Sequence, residues 1–364
     1  MKILHLINTL GAGGAEKLLV DSAITYQKMG VNVDILLLKG GTSPFKHKLK
    51  NYPKINLFDL GENTKLYSPI NIIRLIRYFK EYDIVHVHLF PSLYWASLAN
   101  VFSNSKRKLI FTEHNVSNRR RQSIVSRVID NFIYKQYSHI ITVSDAAYDS
   151  LRKHLNSSFN NIKTISNGID LEEIKNSSAY FKSELGFTNE IFLLIQISSF
   201  TDQKGQKALI KALNHLNEDI HLLLVGDGPT KEDCINLTKE LNVSERVHFL
   251  GIRSDVPKLL KTADIVILSS FFEGLSLASI EGLASGKPFI ASDVPGLTNI
   301  VENAGILFPV NDYKKLASII QKLQFDKDLY KSTIRNCEKR AEQYNIINMA
   351  DKYIKLYNKC YNDR

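Results

Sequence analysis

The chain alternates between short apolar runs and longer segments in which apolar residues recur at helical spacing. The short runs are rich in Ile, Leu and Val without polar alternation, which is typical of parallel strands buried on both faces and joined by crossover helices. The pattern therefore predicts an α/β fold with two doubly wound, Rossmann-like sheets. The predicted strands cover residues 3–7, 33–38, 84–88, 109–112 and 139–143 in the first half, and 192–197, 221–225, 247–250, 265–268 and 288–291 in the second.

A turn signal separates the two series of strands. It lies at Asn167-Gly168-Ile169-Asp170 and is followed by the polar stretch Asn176-Ser177-Ser178. We therefore expect one domain over residues 1–168, a second over 169–345, and a C-terminal helix over 346–364. That last segment carries apolar residues at helical spacing, so another element must cover the stripe they form.

Charge and cysteine content narrow the class of protein. The 364 residues include 47 Lys and Arg against 37 Asp and Glu, a net charge of +10, which favours an anionic partner. Cys234, Cys337 and Cys360 lie far apart, which indicates reduced thiols in a cytoplasmic protein. We expect neither a secretory signal peptide nor a membrane-spanning segment, because no run of apolar residues is long enough.

A glycine-rich turn follows the first predicted strand. Gly11-Ala12-Gly13-Gly14-Ala15-Glu16 stands where a helix begins, so its backbone amides suit a phosphate group. A tight turn that needs positive φ explains the glycines equally well. The dinucleotide-binding fingerprint is absent, because Glu16 occupies the place of its last glycine.

One carboxylate precedes a short helix predicted in the second half, and another lies within it. Ser276 is a candidate N-cap and Gly286 a candidate C-cap, so Glu281 falls in the first two turns. Glu273 precedes the helix, in a loop above the carboxyl edge of the sheet, where open α/β sheets bind ligands. Both carboxylates can accept hydrogen bonds from sugar hydroxyls. A capping-box glutamate and a solvated loop glutamate are the alternative interpretations.

The sequence resembles the retaining, nucleotide-sugar-dependent glycosyltransferases of the GT-B fold, in particular the family 4-like enzymes that build lipopolysaccharide and capsule. Their signature of two glutamates separated by seven residues matches Glu273 and Glu281. Further matches follow in order over nearly the whole chain: Gly13-Gly14, His114 in Thr112-Glu113-His114-Asn115, Ser144 in Val143-Ser144-Asp145, Asn167-Gly168-Ile169-Asp170, Lys204-Gly205, and Gly226-Asp227-Gly228-Pro229.

The resemblance implies an active site in a cleft between two domains and a C-terminal helix that crosses back to the first domain. It also implies transfer of a hexose-type sugar from a nucleotide-diphosphate donor to a glycan or lipid-linked acceptor. No cofactor beyond the donor is expected.

The resemblance further assigns individual roles. It implies that Glu281 binds the ribose and that Lys204 binds the diphosphate, while His114 contacts the donor sugar near the reacting carbon. The other implied donor contacts are Glu273 with the backbone amides of Gly274, Leu275 and Ser276, then Gly13 and Gly14 at the diphosphate or acceptor, and Gly251, Ile252 and Arg253 beside the base.

One departure from the family pattern concerns the leaving diphosphate. The family usually carries an arginine a few residues before the lysine, but Ser198 or Ser199 stands there in this chain. Arg119, Arg120 or Arg121 is our candidate for the second cation, with Arg253 as the alternative. The same three arginines, with Lys106-Arg107-Lys108, are candidates for contact with the anionic inner face of the cell membrane. Solvated surface loops are the other interpretation.

Other functions receive less support. His88 is a candidate acceptor contact, as is Ser144, which otherwise serves only as a helix cap. His86 and His88 share a strand face, but we expect no metal because the sequence places no third ligand nearby. Nucleic-acid binding is not expected. The alternatives left open are a nucleotide-sugar epimerase, a catalytically inactive sugar-nucleotide-binding subunit and, more distantly, a nicotinamide dehydrogenase.

Overall fold

The chain divides into two compact units. The computed structural model describes residues 1–11, 13–43, 45–103, 107–116, 121, 123–155 and 159–363. One unit contains the chain up to Gly168 together with the C-terminal helix, and the other runs from Ile169 to Asn345. The boundary falls inside the turn at residues 167–170.

The first unit is built on a sheet of seven parallel strands in the order β3-β2-β1-β4-β5-β6-β7. Its strands are β1 (Lys2–Ile7), β2 (Asn32–Leu37), β3 (Leu57–Asp59), β4 (Ile84–His88), β5 (Lys108–Glu113), β6 (His139–Thr142) and β7 (Ile162–Thr164). Its helices are α1 (Gly14–Lys28), α2 (Lys46–Leu49), α3 (Ile70–Phe79), α4 (Ser92–Phe102), α5 (Ile124–Tyr134), α6 (Asp145–His154) and the C-terminal α15 (Ile346–Asn362).

The second unit repeats this plan with six parallel strands in the order β10-β9-β8-β11-β12-β13. Its strands are β8 (Phe192–Ile197), β9 (Ile220–Val225), β10 (Val247–Gly251), β11 (Ile265–Leu268), β12 (Phe289–Ser292) and β13 (Ile306–Phe308). Its helices are α7 (Leu171–Lys175), α8 (Gln206–Leu213), α9 (Lys231–Glu240), α10 (Val256–Thr262), α11 (Leu277–Ala284), α12 (Thr298–Val301), α13 (Tyr313–Phe325) and α14 (Lys327–Ala341).

Each sheet has one point at which the strand order reverses. It lies between β1 and β4 in the first unit and between β8 and β11 in the second. Crossovers on the two sides of such a point leave in opposite directions, which opens a crevice at the carboxyl ends of the strands. The glycine-rich turn follows β1, Lys204 follows β8, and Glu273 follows β11.

The C-terminal helix α15 packs against α1 within the first unit. Met349, Tyr353, Leu356 and Tyr357 are buried, as expected for the apolar stripe, whereas Ile347 is half exposed. The Met349 sulfur also accepts a hydrogen bond from the backbone amide of Gly168, at 3.2 Å. No helix among the described residues is long and apolar enough to cross a bilayer.

Candidate active site

A buried ion pair lies at the reversal point of the second sheet. Lys204 follows β8 and Glu273 follows β11, and the Lys204 ammonium contacts Oε1 of Glu273. The Ser270 hydroxyl donates to the same oxygen at 2.7 Å. Because the side chains of Lys204 and Glu273 are only 16% and 5% exposed, little water screens this pair.

Two glycines allow the loops of this site to approach each other closely. Gly205 has a φ of +63°, and a Cβ there would lie 2.0 Å from the backbone oxygen of Ser269. Gly296 has a φ of +93°, and a Cβ there would lie 2.2 Å from the backbone oxygen of Glu273. Both positions therefore exclude any other residue, and they fix the backbone on either side of the Glu273 loop.

A buried glutamine, missed in the sequence, ties the Lys204 loop to the end of β11. The side chain of Gln196 donates to the backbone oxygen of Lys204 at 2.9 Å and accepts from the Ser269 hydroxyl at 2.8 Å. Gln196 lies on the central strand β8 and is fully buried. A polar residue in an otherwise apolar central strand was the available sequence signal.

The short helix predicted to carry Glu281 is confirmed. It spans Leu277–Ala284 with Ser276 at its N-cap, and Gly286 follows its end with a φ of +73°. Ser276 makes no side-chain cap, and Glu281 lies beyond the first turn, so the capping-box interpretation is wrong. Glu281 and Glu273 are both buried, so the solvated-loop interpretation of Glu273 is also wrong.

The segment expected beside the base lies at the end of β10. Gly251 has a φ of +65°, and the Ile252 side chain is 60% exposed. Arg253 donates from Nε to Oδ1 of Asp255 at 2.8 Å, and this hydrogen bond holds the pKa of the Asp255 carboxyl well below its usual range. The Arg253 guanidinium thus already has a carboxylate partner within its own unit.

The glycine-rich turn of the first unit begins α1 at Gly14, with Gly13 as the N-cap. Gly13 has a φ of −87°, and neither Gly11 nor Gly14 has a positive φ. The interpretation that these glycines serve a positive-φ turn is therefore wrong. The Glu16 carboxylate folds back over Gly13, within 2.3 Å of where a Cβ would stand, and burial raises its pKa.

A cluster of four histidines lies at the reversal point of the first sheet. Parallel pairing puts His5 of β1 opposite His86 of β4, while His88 shares their face and His114 follows the end of β5. The rings of His5 and His88 meet at 3.1 Å, and so do those of His88 and His114. His86 lies between the hydroxyls of Tyr357, at 2.6 Å, and Thr112, at 2.7 Å.

Burial makes all four imidazoles neutral at physiological pH. It lowers the pKa of His5 to about 3 and that of His114 to about 4. The pKa values of His86 and His88 also fall well below the ordinary range, first through burial and then through the neighbouring histidines. The cluster therefore acts as a set of neutral donors and acceptors.

We expected no metal because the sequence places no third ligand near His86 and His88, and that reason is wrong. His5 supplies the third ring that the linear sequence hides, and the nitrogens of His5, His86 and His88 lie within 4.8 Å of one another. Both nitrogens of His86 are hydrogen-bonded to hydroxyls, however, so His86 can ligate an ion only by losing one of these bonds.

The side chain of Arg121 is buried, so the interpretations that it meets solvent or a membrane are both wrong. It pairs with the Glu113 carboxylate, so it is not a free cation, and its role at the leaving diphosphate stays a prediction. It also donates to the Ser150 hydroxyl at 3.2 Å. Arg119, Arg120 and Lys106 lie outside the described residues. Ser144 caps α6, where its hydroxyl accepts from the backbone amide of Ala147 at 3.2 Å.

Comparison with known proteins identifies the fold and the family. Residues 12–173 match the model of Glycosyltransferase Family 4, and residues 179–340 match that of Glycosyl transferases group 1, so the two cover most of the chain. The crystal structure of Anabaena HepE in complex with UDP and glucose superposes with a TM-score of 0.86, covering 99% of this chain and all of that one at 23% identity.

Curated relatives agree with this assignment. An Escherichia coli UDP-Gal:alpha-D-GlcNAc-diphosphoundecaprenol alpha-1,3-galactosyltransferase is 27% identical over 312 residues, 80% of this chain and 78% of that protein. A Bacillus anthracis N-acetyl-alpha-D-glucosaminyl L-malate synthase is 29% identical over 289 residues, 76% and 74% of the respective chains. With two parallel-sheet α/β domains and both glutamates of the signature in place, the chain belongs to the family 4-like glycosyltransferases of the GT-B fold.

Proposed function

We propose that this chain is a retaining glycosyltransferase that moves a hexose-type sugar from a nucleotide-diphosphate donor to a glycan or lipid-linked acceptor in cell-surface polysaccharide synthesis, such as capsule or lipopolysaccharide. The observation that carries the proposal is the buried Lys204–Glu273 pair at the reversal point of the second sheet, with Glu281 on the helix that follows. The UDP ligand of the Anabaena protein and the diphosphoundecaprenol acceptor in the Escherichia coli relative's name support this donor and acceptor class.

The proposed roles follow from the charges of the reaction. Breaking the anomeric C–O bond leaves positive charge on the sugar and negative charge on the diphosphate, which Lys204 stabilises. Glu281 accepts from the ribose hydroxyls, while Glu273 and the amides of Gly274 and Leu275 hold the sugar. His114 contacts the sugar as a neutral group. With no dedicated nucleophile assigned, we propose same-face attack, with the nucleotide sugar as substrate and no further cofactor.

Thermal-shift screening of purified protein against a panel of nucleotide sugars tests the donor class, with product analysis to follow. A donor at 100 times its dissociation constant adds about 2.7 kcal/mol to the free energy of unfolding. We expect Glu281→Ala to weaken binding of the bare nucleoside diphosphate about 10- to 100-fold, because a carboxylate hydrogen bond contributes roughly 1.5–3 kcal/mol.

Glu273→Ala is the matched comparison. It removes the carboxylate that neutralises Lys204, so affinity for the bare diphosphate should not fall, whereas turnover of the sugar donor should. Calorimetry that gives equal losses of diphosphate affinity in both variants would contradict the division of roles. Sugar inverted at the anomeric carbon in the product would contradict retention, and an epimerised donor without transfer would favour the epimerase.

We also propose peripheral contact with an anionic membrane at the cytoplasmic face, through α5 rather than through the arginine run before it. Five apolar side chains at helical spacing lie 44% to 79% exposed on this helix, with the basic residues Arg127 and Lys135 exposed beside them. The exposed set is Ile124, Val125, Val128, Ile129 and Phe132. An apolar stripe flanked by positive charge is typical of helices that lie in a lipid interface.

Sedimentation with vesicles tests this contact. Replacing Val125 and Val128 together with serine should lower partitioning to phosphatidylglycerol-containing vesicles on the order of 100-fold, since each buried side chain contributes about 1.5 kcal/mol. Phe325→Ser is the control, because Phe325 is 71% exposed on α13 of the second unit. Equal losses in both variants, or partitioning that is unchanged in the valine variant, would exclude α5 as the contact.

A further inference from the structure

His114, His88 and His5 form one continuous chain of hydrogen-bonded imidazoles. Nε2 of His114 meets Nδ1 of His88, and Nε2 of His88 meets Nδ1 of His5. His88 therefore uses one ring nitrogen toward each of its two neighbours. As a result, the nitrogen that carries the proton in one ring determines which nitrogen carries it in the next. His86 stands outside the chain, because hydroxyls occupy both of its nitrogens.

The two ends of the chain differ. At the inner end, Nε2 of His5 is buried and has no hydrogen-bond partner among the described residues. At the outer end, Nδ1 of His114 has no hydrogen bond within the described part of the chain and is the nitrogen left to meet a ligand. His114 lies just beyond the carboxyl end of β5, whereas α1 and α15 cover His5 through Tyr26 and Tyr357.

A chain of neutral imidazoles has only two polarities, since each ring carries a single N–H. In one, every Nε2 is protonated, His5 is left with a buried N–H without an acceptor, and His114 offers a lone pair at Nδ1. In the other, every Nδ1 is protonated, His5 buries only an unpaired lone pair, and His114 offers an N–H. Orphaned buried N–H groups are rarer in proteins than under-satisfied acceptors, which favours the second polarity.

We propose that His5 and His88 are positioning residues that hold His114 as the tautomer with its proton on Nδ1, so that His114 presents a hydrogen-bond donor to its ligand. The relevance to catalysis rests on the proposed function, in which His114 contacts the donor sugar. A neutral N–H donates to a sugar oxygen without placing a second positive charge next to a reacting carbon that itself becomes positive.

Nitrogen NMR of the full-length, ¹⁵N-labelled protein tests the tautomer without any substrate. Long-range proton–nitrogen correlations distinguish a protonated ring nitrogen from a bare one, and the spectrum of His114→Gln assigns His114. We expect protonated Nδ1 and bare Nε2 for His114, His88 and His5 in the wild-type protein. A protonated Nε2 on His114 would overturn the proposal, and this measurement needs no variant of His88 to fold.

Two substitutions at His88 test the coupling. His88→Asn keeps an amide donor near the place of Nδ1 and should leave the His114 tautomer unchanged, whereas His88→Phe removes the donor that faces Nε2 of His114 and should shift His114 toward protonated Nε2. Circular dichroism establishes that each variant is folded. A His114 spectrum that is the same in folded His88→Phe as in the wild type would overturn the proposal.

Kinetics separate this proposal from the proposed function. We expect His88→Phe to lower kcat about tenfold, or 1.4 kcal/mol, with the donor KM nearly unchanged, and His88→Asn to restore it. If the protein transfers sugar from no donor at all, the proposed function fails while the nitrogen spectra still decide the tautomer. If transfer proceeds and the spectra show protonated Nε2 on His114, only the positioning role fails.

Discussion

Replacing Lys204 with alanine is expected to lower turnover by a factor on the order of 100 to 1,000, as loss of a charge partner of the transition state typically does. The diphosphate gains negative charge as the anomeric bond breaks, and the usual arginine is replaced by Ser198 or Ser199. Arg253 pairs with Asp255 and Arg121 with Glu113, so neither is a ready substitute. Initial rates at saturating donor, with the donor found in the thermal-shift panel, measure the loss.

The buried partner of Lys204 requires a control. Lys204→Ala leaves the Glu273 carboxylate without its cation, and an unpaired buried charge destabilises a protein in its own right. Lys204→Arg keeps the charge and should recover most of the turnover, while Lys204→Ala combined with Glu273→Gln removes the stranded charge. Turnover within about threefold of wild type in folded Lys204→Ala would contradict the proposed role.

Most of the strand pattern was predictable because central parallel strands are continuous apolar runs. All ten predicted strands are confirmed, with ends displaced by at most one residue. The three strands that were missed, β3, β7 and β13, are three residues long and lie at sheet edges. Three residues, mostly not buried, are too few to show either an alternation or a sustained apolar run, so these strands leave no clear signal in the sequence.

The individual residues of the site were predictable, but their partners were not. Lys204 and Glu273 were both expected, yet they are 69 positions apart and meet only because β8 and β11 are neighbours in the sheet. His5 was missed for the same reason, since the parallel register alone sets it opposite His86. Contacts of this kind depend on strand order, which local patterns do not encode.

The basic run before α5 shows how a charge pattern misleads. Three consecutive arginines favour an exposed surface, but Arg121 turns inward because Glu113 ends the central strand β5 as a buried carboxylate. The apolar residues of α5 recur at helical spacing on more than one side of the helix. In the structure one stripe is exposed, while Ile133 and Tyr134 face the core.

Arg121→Ala is expected to lower the free energy of unfolding by about 3–5 kcal/mol, because it strands a buried carboxylate. Among the described residues, Glu113 keeps only the Tyr134 hydroxyl, at 3.1 Å, and a backbone amide as donors, and neither is charged, so neither replaces the lost ion pair. Urea unfolding followed by circular dichroism measures the change, and Arg127→Ala, an exposed arginine on α5, is the matched control. Combining Arg121→Ala with Glu113→Gln should recover part of the loss, since the glutamine carries no charge. An Arg121→Ala protein with wild-type stability and a turnover lowered about 100-fold would instead return Arg121 to the role of a cation for the leaving group.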